Sequence, residues 1–164
     1  MDIHTERTLM VKYDDADLSS FCKVICNDEV MLHISGKGYS QEEAQEKFEN
    51  LLKTNEENEY YGFYKVIFKE DRSVIGFAKL VPFETDMMEI GYALLPGYWR
   101  MGLTAEMVQQ LVSVGKRYFK DKRIMAIVNV DNIGSLKVLE RFNFSIYKSE
   151  PFKDDPCHFL EHTD

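Results

Sequence analysis

The chain has 164 residues, 45% hydrophobic and 29% charged, with 9 Gly and 4 Pro; this suits one domain with a real core and excludes a disordered or fibrous chain. Asp and Glu outnumber Lys and Arg by 28 to 20, a formal charge of −8, which argues against a nucleic-acid backbone as the main partner and fits a cationic substrate better. No apolar run nears the roughly 20 residues of a membrane-crossing helix, and MDIHTERTLMV mixes charges where an export signal would be continuously apolar.

Three cysteines, Cys22, Cys26 and Cys157, form no regular framework, and an odd number fits reduced thiols in a cytoplasmic protein. Cys157 stands beside His158 with His162 further on, but that spacing matches no standard zinc pattern, so no metal is expected.

In chain order, RTLMVKY (7–13) alternates as a first strand, and Asp15 or Asp17 is expected to cap a helix running through Cys26. HISGKGY (33–39) is a glycine-containing loop suited to bordering a cleft. Ser40 with Glu43 three residues on forms a capping box, and Ala44, Phe48, Leu51 and Leu52 then recur at helical spacing, predicting a helix over 41–54.

From Gly62 the period becomes that of strands: GFYKVIFK, the turn EDRS, SVIGFAKLV up to Pro82, the turn FETD, and MEIGYALL (88–95) read as an antiparallel meander. Leu103, Met107, Val108, Leu111, Val112, Gly115 and Tyr118 share one face of a helix over 103–119. RIMAIVNV (123–130) is nearly all apolar, as a strand covered on both faces and paired in parallel would be. Asn132 opens a short helix, IGSLKVLERF, and FSIYKS and CHFLEHT close the chain as two short strands around a Pro-containing link. The layout is α+β: one domain over 1–164 with a single mixed, mostly antiparallel twisted sheet of about seven strands and about four helices.

The sharp passage from strand to helix in LLPGYWRMGLTAEMVQQLV (94–112) suggests an anion site, because the first turn of a helix leaves backbone N–H groups without intrahelical partners. It carries neither Gly-Lys-Ser/Thr of a nucleotide loop nor G-x-G-x-x-G of a dinucleotide fold. EIGYALLPGYWRMGLTAEMV instead resembles the acyl-coenzyme A loop of the GNAT acyltransferase superfamily, in its RimJ/RimL-like ribosomal-protein N-acetyltransferase branch. HTERTLMVKYDDADLSSF, SVIGFAKL and VNVDNIGSLKVLERFNF fall where that branch places its own segments, so the likeness spans about 1–148.

The resemblance implies a sheet splayed between its fourth and fifth strands, with acetyl-coenzyme A as co-substrate and no metal. It implies cofactor contacts at Trp99, Arg100, Met101, Gly102, Leu103 and Thr104 for the diphosphate, at Ala93, Leu94 and Leu95 for the pantetheine arm, and at Asn132 and Ser135. The family pattern Gln/Arg-x-x-Gly-x-Gly/Ala lands on Gly97 to Gly102, and only its last position conforms. Arg100 stands where a glycine is usual; its guanidinium either adds a phosphate contact or points to solvent. Asn132 is equally a helix cap.

An amine with a pKa of about 10 must lose a proton before it attacks a thioester. Glu89 aligns with the superfamily's glutamate base, and the Leu94 N–H is placed to stabilise an oxyanion. The tyrosine that many members use as general acid is Leu139 here, which leaves Ser135 or Tyr92 as substitutes. Asn143 replaces a glycine before the next strand and tolerates the same left-handed turn.

Tyr39, Tyr60, Tyr61 and Trp99 either wall a substrate cleft or pack ordinarily, and Glu84, Asp86 and Glu89 either favour a cationic acceptor or form an ordinary solvated turn. The expected activity is acetyl transfer to a primary amine, a protein N-terminus or a small amine, by direct attack in a ternary complex. The alternatives are an acyl-coenzyme A sensor or a plain interaction domain. The expected partners include no nucleic acid and no membrane, and the chain is expected to be a monomer or a homodimer.

Overall fold

Hydrophobic alternation in the strands and one apolar stripe on each long helix dictate a sheet covered on both faces, and the computed structural model, which describes residues 1–164, has that form. The strands are β1 (Ile3–His4), β2 (Thr8–Lys12), β3 (Gly62–Phe68), β4 (Val74–Phe83), β5 (Met87–Leu94), β6 (Arg123–Asn129), β7 (Phe144–Phe152) and β8 (Asp155–His162), in spatial order β1-β2-β3-β4-β5-β6-β8-β7. All neighbours are antiparallel except β5 and β6. The helices are α1 (Leu18–Ile25), α2 (Asp28–Met31), α3 (Gln41–Glu57), α4 (Leu103–Tyr118) and α5 (Ile133–Arg141).

Eight strands replace the expected seven because Ile3 and His4 add a short edge to β2, with Ile3 buried in the core. Five helices replace four because Asn27 accepts from the Val30 amide at 3.0 Å and so starts the extra turn α2. Asp17, one of the two expected caps, stands at the N-cap position of α1, but its side chain makes no capping bond there. Asp14, not Asp15 or Asp17, accepts from Ala16 N–H, and it opens a 3-10 turn at Asp15–Asp17 that runs into α1. Asp17 is engaged by Lys65, whose Nζ lies 2.7 Å from its carboxylate. The capping box of Ser40 and Glu43 forms as expected, and α3 continues to Glu57.

Strand periodicity divides the core between the two faces. Tyr64, Val66, Ile75, Leu80, Met88, Ile90 and Leu94 pack on Leu103, Met107, Val108 and Leu111 of α4. Ala93, with Phe63 and Phe77, packs on Phe21 and Val24 of α1 and on Ala44 and Phe48 of α3. At roughly 1.5–3 kcal/mol for each fully buried large apolar side chain, these two layers dominate the stability.

The closing strands form one long hairpin. Pro151 pairs with Pro156 inside it, and Lys153 and Asp154 turn the tip with φ of 50° and 68°, the left-handed pair that a two-residue turn needs to match strand twist. Asn143 also takes φ 61°, so the tight turn survives without glycine.

The feature that positions the site is an interrupted ladder. β5 and β6 pair only at Met87↔Arg123, Met88↔Ile124 and Glu89↔Met125, although β5 runs on to Leu94 and β6 to Asn129. Beyond Glu89 the two strands part, at the place where the splay was expected.

Candidate active site

A cleft of about 210 Å³ opens where β5 and β6 separate. Glu89 to Tyr92 border it from β5, Ala126 to Asn129 from β6, and Asn132, Ser135 and Leu139 from α5. His33, Ile34 and Tyr39 from the loop after α2, and Phe152 and Lys153 from the β7–β8 hairpin, complete its rim.

Glu89 and Tyr92 are three residues apart on one strand, so the two-residue period sends them to opposite faces of the sheet, and the cleft touches both. Glu89 is 8% exposed and pairs with Lys79, whose Nζ lies 2.7 Å from Oε1. Lys79 stands directly opposite Gly91 on the neighbouring strand, so Glu89 is its diagonal neighbour on the same face. The absence of a side chain at Gly91 makes this possible: an added Cβ would lie 2.6 Å from Lys79 Cε and 3.0 Å from Cγ. The lysine stem lies across the glycine and delivers its ammonium to the carboxylate.

On the other face the Tyr92 hydroxyl and Ser135 Oγ share a 2.7 Å hydrogen bond. Burial pushes the Tyr92 phenol up to about 12, against the smaller lowering effect of Ser135. Tyr92 thus remains a donor throughout the neutral range. Asn132 acts as the N-cap of α5, accepting from the Ser135 amide at 3.3 Å, and both residues border the cleft. Leu139, at the place where many family members carry tyrosine, is fully buried beside the slot.

At the mouth of the strand–helix corner, the amides of residues 100–105 donate to no acceptor in the chain; the first bond of the turn is Glu106 N–H to Gly102 O at 3.4 Å. Arg100 adopts φ 61° and Gly102 φ 80°, so Arg100 takes the left-handed conformation a glycine would have taken, at about 1–2 kcal/mol. Its side chain is exposed, as are those of Met101 and Trp99 in part, whereas the Leu103 side chain is locked in the core and leaves only its amide for a ligand. Thr104, in the first turn of α4, is half-buried. Those unsatisfied donors and the positive end of α4 are what an anionic group requires.

Two features of this corner escape sequence reasoning. The Trp99 indole Nε1 donates to the Leu94 carbonyl at 2.7 Å and ties the loop to β5. Arg7 donates from its amide at 3.0 Å and from Nε at 2.6 Å to Glu106 in the first turn of α4. Burial alone would raise the Glu106 carboxyl, but the Arg7 hydrogen bonds outweigh it and hold it below the usual range. Glu106, the acidic residue in the first turn of α4, is therefore countered by a guanidinium, whose Nη2 lies 3.3 Å from where a Cβ on Gly102 would stand. Nothing local in the sequence around Arg7 announces a partner near 106.

Leu95 N–H donates to Ile75 O on β4 at 2.7 Å, and successive residues alternate, so the Leu94 amide points away from β4 toward the opening. Its carbonyl is occupied by Trp99. Of the backbone contacts expected at Ala93 to Leu95, the Leu94 N–H is the one aimed at the gap.

Several expected cleft residues lie elsewhere. Tyr60 stacks on Tyr118 with centroids 4.0 Å apart, and the Tyr61 hydroxyl donates to Glu57 at 2.8 Å. Glu84 and Asp86 do not border the cleft either. They precede the paired end of β5, and Asp86 is held by Arg123 at 3.0 Å. The acidic turn therefore belongs to the closed end of the splay and gives no support to a cationic acceptor.

No helix is long and apolar enough to cross a membrane. The acetyltransferase (GNAT) domain model matches residues 7–145. An uncharacterized N-acetyltransferase of Bacillus subtilis, YoaA, is 27% identical over 148 residues, covering 87% of this chain and 81% of its own. Among solved structures, a putative GNAT-family acetyltransferase from Bordetella pertussis superposes with TM-score 0.85 at 18% identity, over 99% of each chain. RimL, a ribosomal alpha-N-protein acetyltransferase solved with coenzyme A, superposes with TM-score 0.81 at 16% identity, over 99% of this chain and 97% of its own. With the splayed sheet, the free amides of the corner and a matching model over most of its length, the chain belongs to the GNAT family of N-acetyltransferases, whose co-substrate is acetyl-coenzyme A.

Proposed function

We propose that the chain acetylates a primary amine by direct attack within a ternary complex, and that the residues of the slot divide the work by face. The observation that carries this reading is the cleft itself, which joins Glu89 on one face of β5 to the Tyr92–Ser135 pair on the other.

Acetyl-coenzyme A supplies an activated acyl thioester. The donors suited to hold it are the amides from Arg100 to Thr104 for the diphosphate, with Arg100's guanidinium beside them, and the β5 edge at Ala93 to Leu95 with Asn132 and Ser135 for the arm.

Glu89 accepts the proton that the ammonium must lose, directly or through water, while Lys79 fixes Oε1 and leaves Oε2 free. The Leu94 N–H donates to the carbonyl oxygen as negative charge grows on it. The C–N bond forms as the C–S bond breaks; the second proton of the attacking nitrogen passes to the departing sulfur through the Ser135 hydroxyl, which is hydrogen-bonded to Tyr92 and gives up its own proton as it takes that one. A thiolate with a pKa of about 8.5 leaves readily, so this last aid is smaller than the first.

A panel of primary amines assayed by thiol release tests the reading. Turnover with at least one amine that Ser135→Ala slows supports it. Thermal stabilisation by coenzyme A without turnover on any amine would instead make the chain a binding module.

A further inference from the structure

The charge around the cleft runs against the charge of the whole chain. In a protein of formal charge −8, Lys79, Lys153 and His33 border the slot against a single carboxylate, Glu89. Lys79 is already committed to that carboxylate at 2.7 Å. Lys153 takes part in none of the chain's ion pairs; its ammonium lies 5.4 Å from the centre of the Phe152 ring. The left-handed turn at Lys153 and Asp154 presents it at the hairpin tip, and the neighbouring Asp154 and Asp155 do not border the cleft. His33, from the loop after α2, likewise has no hydrogen-bond partner in the chain. Once the Lys79–Glu89 pair is set aside, the rim is left with a free ammonium, an imidazole and no free anion.

We propose that the acceptor is an amine that also carries a carboxylate, with its nitrogen toward Glu89 and its carboxylate at the rim held by Lys153 and His33. This rests on the amine-acetylating reading above and narrows its substrate class. A polyamine would bring a second ammonium against Lys153, whereas an amino acid or the N-terminus of an acidic peptide brings the missing anion. Phe152, Tyr39 and Ile34 supply the apolar wall for the carbon chain between the two groups.

The experiment compares γ-aminobutyrate with n-butylamine, which share a primary amine on a four-carbon chain and differ by the carboxylate, and adds spermidine as the cationic arm. Two pentapeptides beginning Glu-Glu and Gln-Gln form the peptide arm. Each is measured by thiol release (kcat/KM) and by calorimetric binding to protein saturated with coenzyme A. γ-Aminobutyrate is expected to exceed n-butylamine by up to about fivefold in both readouts, the scale of an exposed ion pair. Added salt should shrink the ratio, His33→Gln should reduce it, and Lys153→Glu should invert it in favour of spermidine while leaving the thermal shift by coenzyme A unchanged. Preference for the Glu-Glu peptide over γ-aminobutyrate assigns the carboxylate to a protein N-terminus, and the reverse assigns it to a small amino acid. Equal constants for the matched pair, or a preference for spermidine in the parent protein, would overturn the proposal. If thiol release fails with every amine, the acetylation reading falls, and the calorimetric ratio alone then decides whether the rim selects a carboxylate.

Discussion

Lys79 reaches Glu89 across Gly91, its ammonium 2.7 Å from Oε1, because the residue between them on the sheet has no side chain. The pair gives the cleft floor a fixed carboxylate with one oxygen committed and one free, and its consequences are measurable.

Replacing Glu89 by Gln keeps the shape of the site and removes its proton acceptor. A drop in kcat of about 100-fold is expected, within the range for a lost general base, while coenzyme A still raises the melting temperature. Thiol-release kinetics alongside thermal melts check this; a kcat within twofold of the parent would remove Glu89 from the role.

Gly91→Ala and Lys79→Met are expected to act on the same contact. Each should lower kcat, and the double variant should be little worse than either single one, since the added Cβ displaces the lysine stem that the methionine lacks a charge to replace. Additive losses in the double-mutant cycle would show that the glycine matters for another reason.

Buried phenols make the fold sensitive to alkali. Burial raises Tyr92 and Tyr64 to about 12, and Tyr13 is raised too, chiefly by burial. A raised folded pKa means a contribution fully present below the unfolded value, near 10, and lost as pH climbs through the folded one. Stability should thus fall between about pH 10 and 12 by ~1.4 kcal/mol per pH unit for each such tyrosine. Urea titrations across that range should show the fall, and Tyr92→Phe should make it shallower.

Trp99 is the single tryptophan of the chain, and its indole is hydrogen-bonded to the Leu94 carbonyl beside the turn proposed to hold the diphosphate. Coenzyme A should therefore change the intrinsic fluorescence. Trp99→Phe abolishes the signal and loosens the corner, weakening binding by about 1 kcal/mol, or fivefold, by calorimetry.

Local chemistry was readable in the sequence, and register was not. The Ser40–Glu43 box and the apolar face of α4 depend on neighbours within a few residues, and both form as their spacing dictates. The corner at 96–102 was recognisable because its residue types and order resemble a known loop. The pairing of Lys79 with Glu89 depends on which residue of β4 stands opposite Gly91, which no local pattern states. The misplaced expectation for Glu84 and Asp86 has the same origin. Nearness to Glu89 along the chain says nothing about which end of β5 opens, and the ladder closes at their end. Lys153 and His33, distant in sequence from the slot, reach it only through the long hairpin and the loop after α2.

With only three rungs joining β5 to β6, the sheet is in effect two leaves bound along a short spine. A molecule seated between the leaves adds the cross-ties that the backbone omits, so ligand occupancy should slow amide exchange on β6 and β8 as well as at the site. The open ends of β5 and β6, beyond their three paired positions, are where breathing of the native state should first be seen.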